Sequence, residues 1–279
     1  MNNNIEKKKR QKELTEKLNA ASRAYYQEAR EILSNYEYDA LYDELAALEK
    51  ETGTVLAGSP TAHVGYEVLS ELPKERHESP MLSLDKTKDR DALAAWIGEH
   101  RTLLSWKLDG LTIVLTYRNG GLFKAVTRGN GEVGEVITNN ARVFKNVPLR
   151  IPFQGELVLR GEAVIGYHEF ERINEEIPEA DAKYKNPRNL CSGSVRQLNN
   201  EITAKRNVHF FAFALVRAEG MDFENSREKQ FLWLKEQGFD VVEYNVVTGA
   251  TLSENMDWFA EHIEKNEYPS DGLVALYDD

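Results

Sequence analysis

The sequence predicts an α+β fold: a helical hairpin at the N-terminus, followed by a domain of antiparallel sheets flanked by helices. Apolar residues recur at helical spacing over about the first 50 residues, where one amphipathic stripe follows another. Asn119-Gly120, the strongest short hairpin signal, separates two runs rich in β-branched and aromatic residues. The last third alternates short strand-like runs with amphipathic ones. Hairpins mixed with helices make an α+β domain rather than a doubly wound sheet.

Taken in order, residues 5 to 32 form the first helix, with Leu14, Leu18, Ala21 and Tyr25 on one face. Ser34 stands three before Glu37, a capping-box spelling, and starts a second helix lined by Tyr38, Leu41, Leu45 and Leu48. Gly53 ends it. A hairpin of about 50 residues is too small to be stable alone and must pack on the rest of the chain. Residues 54 to 88, with Ser59-Pro60 and Ser79-Pro80, form an ordered connector ending in Met81-Leu82-Ser83-Leu84-Asp85. Asp89 caps a short helix carrying Leu93, Trp96 and Ile97. A strand beginning at Lys107 runs to Tyr117, turns at Asn119-Gly120 and returns through Arg128. Gly129-Asn130-Gly131 and Gly134 then lead into a helix over residues 135 to 144. Residues 157 to 165 form a strand and residues 167 to 177 a helix. Beyond them come a strand over 208 to 216, a helix over 226 to 237, a strand over 241 to 246, a helix over 253 to 265 and a strand over 272 to 277. Ser226 and Ser253 are the expected N-caps and Gly238 a stop.

A chain of 279 residues holds one large domain or two smaller ones. The single cysteine, Cys191, excludes a disulfide framework and points to a reducing compartment, and no zinc-ligand spacing is present. Residues 1 to 10 are polar and basic, unlike a secretory signal. The longest apolar run, residues 210 to 216, suits a buried strand and cannot span a bilayer. A cytoplasmic protein with no membrane association is therefore expected. The net charge of −11 argues against a nucleic-acid footprint over the whole surface. Between residues 181 and 206, however, Lys183, Lys185, Arg188, Arg196, Lys205 and Arg206 face only Asp181 and Glu201. That run is either a solvated face or a phosphate-binding patch.

Ser105-Trp106-Lys107-Leu108-Asp109-Gly110 is the stretch that carries chemistry. Side chains two apart on a strand share a face, so Lys107 and Asp109 are expected to point the same way. Gly110 beside them leaves room for a ligand to approach the backbone. A lysine so placed is a nucleophile once cations or desolvation lower its pKa. The same spelling also fits an exposed lysine and a turn carboxylate, so the neighbouring motifs decide. A glycine-rich loop like that at residues 129 to 131 is weak evidence for phosphate binding by itself.

Together these pieces resemble the N-terminal part of a bacterial NAD-dependent DNA ligase, over nearly the whole chain. Lys107-Leu108-Asp109-Gly110 is similar to the nucleotidyltransferase motif whose lysine becomes adenylylated. Thr127-Arg128-Gly129-Asn130-Gly131 resembles the segment after the hairpin, and Arg160-Gly161-Glu162 the motif carrying the acidic ribose contact. Asn186-Pro187-Arg188-Asn189 and the segment from Gly193 to Leu198, with Arg196, resemble the family's two arginine segments. Ser59-Pro60-Thr61, the Met81 segment and Asp271-Gly272-Leu273-Val274 complete the order. Tyr36-Glu37-Tyr38-Asp39 resembles the small domain that recognises the nicotinamide mononucleotide (NMN) half of NAD.

The resemblance implies a DNA ligase/mRNA capping enzyme-like fold, with an NMN-recognising subdomain over residues 1–70 and a nucleotidyltransferase domain over 71–279. It also implies that Lys107 attacks the adenylate phosphate of NAD, aided by Asp109, with magnesium or manganese as cofactor. Tyr25, Tyr26, Asn35, Tyr36, Glu37, Tyr38 and Asp39 would contact the nicotinamide side. Ser83, Leu84, Ser105 and Glu162 would contact the adenosine, and Arg128, Arg188, Arg196 and Asp271 would surround the phosphates and the lysine. A monomer is expected, handing AMP to nicked duplex DNA mainly through domains absent from this chain. The sequence departs from the family at four positions: Ser105 replaces a glutamate, Leu276 a lysine, Tyr26 a histidine and Asn35 an aspartate. A non-catalytic NAD-binding relative and an ATP-dependent nucleotidyltransferase are the alternatives.

Overall fold

The computed structural model describes residues 2–62 and 69–279. Helices α1 (Asn2–Glu28) and α2 (Asn35–Thr52) form the expected hairpin around the buried Leu14, Leu18 and Leu45. α1 stops at Glu28 rather than near residue 32 because Ala29 takes a left-handed conformation, φ 51°. The capping box is present: Glu37 N donates to Ser34 Oγ at 3.1 Å and Ser34 N to the Glu37 carboxylate at 2.8 Å. Gly53, at φ 63°, ends α2. The connector holds two short strands that its sequence did not suggest, β1 (Val55–Leu56) and β2 (Lys74–Arg76). Residues 63–68, also part of that expected connector, lie outside the described residues.

Next come α3 (Arg90–Ile97), capped by Asp89 as expected, then β3 (Thr102–Leu108), β4 (Leu111–Arg118) and β5 (Gly121–Thr127). They are followed by β6 (Val133–Glu135), α4 (Thr138–Ala141), β7 (Pro148–Arg150), β8 (Leu157–Val164) and α5 (Tyr167–Glu176). Helices α6 (Pro187–Val195) and α7 (Asn200–Ala204) occupy the basic run. The chain then forms β9 (His209–Ala218), α8 (Arg227–Gln237), β10 (Tyr244–Val247), α9 (Leu252–His262) and β11 (Ser270–Tyr277).

Three expectations are corrected. Residues 135 to 144 are not one helix: β6 pairs with β2, and only α4 is helical. Glu135 N donates to Thr127 Oγ1 at 2.9 Å, and Thr138 Oγ1 accepts from Ala125 N at 3.1 Å, so bonds to β5 hold the segment extended. Thr251, not Ser253, precedes α9, and the Ser253 hydroxyl instead accepts from Arg90 at 3.4 Å. The third correction bears on function. Lys107 lies at the end of one strand rather than at the start of the next, because β3 and β4 belong to different sheets.

The larger, six-stranded sheet has the order β1-β7-β5-β4-β8-β9, and the smaller, three-stranded one β10-β3-β11. All strand pairs within them are antiparallel, as the α+β reading requires. One face of the large sheet packs Ile113, Leu115, Leu159 and Phe210 against Phe144, Leu190 and Phe231. The small sheet packs Leu104 and Trp106 against Ile97 and Phe259. The helical hairpin packs on the rest, as its size demanded: Lys12 pairs with Asp240, Gln11 donates to Thr54 O at 3.0 Å, and Thr54 Oγ1 donates to Gln237 O at 3.1 Å. Among the described residues no helix is long and apolar enough to cross a membrane.

Candidate active site

The seam between the two sheets is the Asp109-Gly110 turn. Along β3, Leu104, Trp106 and Leu108 turn toward the small sheet's core, which leaves Ser105 and Lys107 on the opposite face. Lys107 is exposed, and its amine reaches both carboxylate oxygens of Asp271, at 2.8 and 2.9 Å. The register of β11 against β3 slips between Ser270 and Leu273. Such an irregularity re-aims a side chain, and here it falls on Asp271.

Asp109 does not share a strand face with Lys107. It lies beyond β3, held where its N–H donates to Pro269 O at 2.8 Å. Its carboxylate pairs with Arg188 at 3.6 Å. Asn186 supplies the cap that starts α6, accepting from Asn189 N at 2.8 Å, and so places Arg188 in the first turn. Gly110 makes no room for a ligand. A Cβ there would stand 1.9 Å from the carbonyl oxygen of Ala163, so the glycine lets the turn lie flat on β8.

Glu162 sits beneath this turn. Thr112 Oγ1 donates to one carboxylate oxygen at 2.7 Å and Gly110 N to the other at 3.2 Å. Burial pushes the carboxyl up to about 7, against the pull of those two donors; Asp109 adds to the rise and Lys107 opposes it. Both residues of the lysine motif are therefore felt at Glu162. Cys191 on α6 lies on the buried side, its thiol donating to Ala163 O at 3.1 Å, with Glu162 among the charges that act on it.

Arg128 joins through the backbone: its N–H donates to Thr112 O at 3.0 Å and its guanidinium to Met81 O at 3.2 Å. Met81 N in turn donates to Gly131 O at 2.9 Å, so the connector is pinned to the glycine loop and Ser83 and Leu84 follow as exposed residues. The loop glycines serve the turn itself. Gly129 has φ 60°, and a Cβ on it would meet Val133 O at 2.0 Å.

Arg196 is not brought to Lys107. Glu135 holds its guanidinium at 2.7 and 3.2 Å. The basic run is thus divided: Lys205 pairs with Glu201, Arg206 lies over the Tyr184 ring at 5.6 Å, and Arg188 reaches the site. Ser105 is buried and opposite Val274, while Leu276 is opposite Leu103, which lies in the core. In the hairpin, Tyr25, Asn35, Tyr36 and Asp39 are exposed, Glu37 is occupied by its cap, and the Tyr38 hydroxyl accepts from Ser22 at 3.2 Å. The side chain of Tyr26 lies outside the described residues. No hydrogen bond or ion pair among the described residues joins Asn35, Tyr36, Glu37, Tyr38 or Asp39 to Lys107 or Glu162. Thr112, which the sequence did not single out, touches both Glu162 and Arg128, and only the cross-strand register reveals it.

An amine facing a carboxylate, a second carboxylate held beneath them and arginines at the rim suit attack on a phosphorus linked to a nucleoside. Comparison with known proteins agrees with that chemistry. Residues 69–279 match the model of the NAD-dependent DNA ligase adenylation domain. Residues 4–65 match that of the DNA ligase-like N-terminal NAD+-binding domain. A DNA ligase of Lachnoclostridium phytofermentans is 68% identical over 98% of this chain and 42% of its own length. One from Ruminiclostridium cellulolyticum is 62% identical over 96% of this chain and 41% of its own. One from Alkaliphilus oremlandii is 37% identical over 95% and 42%. The chain thus spans well under half the length of these relatives.

Proposed function

Since the chain belongs to the NAD-dependent DNA ligases, whose two N-terminal domain models it matches, we propose that it carries out their adenylation step, with Lys107 as nucleophile. The observation that carries this reading is the Lys107–Asp271 contact beside the half-buried Glu162. Lys107 Nζ, having given a proton to Asp271, attacks the adenylate phosphorus of NAD in line. The N–P bond forms as the bond to the bridging pyrophosphate oxygen breaks, NMN leaves with that electron pair, and the nitrogen sheds its second proton to solvent. Lysine-AMP remains. Glu162 accepts from the ribose hydroxyls, Ser83, Leu84 and Ser105 bound the adenosine, and Arg128 and Arg188 stabilise charge on the phosphates.

Residues 1–70 form the NMN-recognising unit, with Tyr25, Tyr26, Asn35, Tyr36, Tyr38 and Asp39 toward the nicotinamide side, and residues 71–279 the nucleotidyltransferase unit. Among the described residues no cluster of three or more His, Cys, Asp or Glu suits a metal. Magnesium, or manganese in its place, is held chiefly by phosphates and water with one or two carboxylates, and Asp109 fits that smaller demand. Bound there, the ion would neutralise phosphate charge. AMP then passes to the 5′-phosphate of nicked DNA in a bacterial cytoplasm, in replication and repair, by a monomeric ligase that grips DNA mainly through other domains.

Intact-protein mass after incubation with NAD and magnesium tests this. The expected gain is one AMP, reversed by NMN and absent in Lys107→Ala. A gain with ATP and not NAD would move the chain to the ATP-dependent enzymes. No gain with either, in folded protein, would favour a non-catalytic NAD-binding relative and turn attention to Ser105 and Leu276.

A further inference from the structure

The adenylation step as described gives Thr112 no role. Thr112 lies directly across the β4–β8 pair from Glu162, and directly opposed residues of an antiparallel pair share a face. Its hydroxyl donates to Glu162 at 2.7 Å, while its carbonyl accepts from Arg128 N at 3.0 Å. One residue therefore ties the carboxylate read as ribose acceptor to the arginine read as phosphate ligand. The other donor to Glu162, Gly110 N, is backbone that a change at Thr112 leaves in place.

We propose that Thr112 is a positioning residue for AMP transfer, holding and aiming the Glu162 carboxylate so that both its oxygens can accept from the vicinal hydroxyls of a nucleoside sugar. This rests on the roles proposed for Lys107 and Glu162. Without the hydroxyl, one oxygen of Glu162 loses its protein donor at a half-buried position, where desolvation already disfavours the ionised form. Protonation then turns one acceptor oxygen into a donor. The charged and titratable groups acting on Glu162 are Asp109 from the turn and Lys107 from β3, with Cys191 facing it from α6. A change at Thr112 removes none of them, so an altered pH response would belong to Glu162.

Thr112→Val keeps the shape of the side chain and removes the hydroxyl; Thr112→Ser restores a hydroxyl. Adenylylation rates against NAD concentration, from pH 6 to pH 9, give the test, with melting temperatures confirming that both variants fold. Thr112→Val is expected to raise KM for NAD about tenfold or more, with a smaller change in kcat. It should also move the acid limb of kcat/KM to higher pH, and Thr112→Ser should reverse both changes. A Thr112→Val enzyme with wild-type KM and pH profile overturns the proposal, as does a loss confined to kcat. If the wild type takes up no AMP, the proposed function fails, and calorimetric NAD binding decides this inference separately. At least tenfold weaker binding by Thr112→Val sustains it, and equal binding, or no binding by wild type, ends it.

Discussion

Lys107, near the end of β3, and Asp271, near the start of β11, face each other with the amine 2.8 and 2.9 Å from the two carboxylate oxygens. The contact exists because β11 slips register beside the turn, and Ser270 Oγ fastens the slip by donating to Lys107 O at 3.0 Å. An ammonium gripped by a carboxylate is not a nucleophile. In the proposed step its proton leaves first, and Asp271 is the carboxylate in contact with it.

Asp271→Asn keeps a hydrogen-bonding partner for Lys107 and removes the proton acceptor. AMP transfer from NAD should slow by about 10²- to 10⁴-fold, the usual share of a general base. Affinity for NAD should change far less. Single-turnover mass spectrometry measures the first and calorimetry the second. An unchanged single-turnover rate would rule Asp271 out as the base.

Glu162 should cost stability above neutrality. Its carboxyl is raised to about 7 in the folded chain, chiefly by burial, whereas an unfolded glutamate titrates near 4.3. Between those values the folded state holds a proton that the unfolded state has lost, so stability falls as pH rises through that window. Glu162→Gln removes this dependence. It should raise the melting temperature at pH 8, by the equivalent of up to about 3 kcal/mol, and little or not at all near pH 4. A variant no more stable than wild type at pH 8 would show that Glu162 is not strained by its site.

The contrast between what the sequence disclosed and what it hid is one of range. Ser34 with Glu37, Asp89, Ser226 and Asn119-Gly120 act on backbone within a few residues, and each was legible. From Lys107 to Tyr117 the sequence reads as one strand, with nothing local to say that the chain changes sheets at Asp109-Gly110. That change is decided by partners more than 35 residues away in sequence, with β10 and β11 beside β3 and β8 beside β4. The same limit explains Arg196, a basic residue in a basic run until Glu135 meets it across the fold. It also explains Thr112, whose role exists only in register with Glu162.

Gly110→Ala should test whether the sheet change depends on close backbone approach. The added methyl would stand 1.9 Å from Ala163 O and 2.9 Å from a methyl of Val164, so the turn must lift off β8. A loss of roughly 1–3 kcal/mol is expected, seen as a lower denaturation midpoint. AMP transfer should fall with it, because Gly110 N and Asp109 both belong to the displaced segment. A variant with wild-type stability would mean that the turn has slack.

Cys191 offers a reporter for the helix that carries Arg188. The thiol is fully buried, donates to Ala163 O at 3.1 Å and has its pKa pushed far up by burial, with Glu162 adding to the rise. Thiolate is the reactive form, so the folded protein should resist an alkylating reagent at pH 8, while denatured protein should gain one adduct, this being the only cysteine. Slow labelling of the native chain would then measure opening of α6 away from β8. If NAD binds the closed site and the reagent reaches Cys191 only after that site is lost, NAD at 100 times its Kd should slow labelling about 100-fold, by mass action alone. In Lys107→Ala, which cannot form lysine-AMP, reversible binding alone supplies this protection. Labelling that proceeds at the same rate with and without bound NAD would show that α6 opens independently of the nucleotide site.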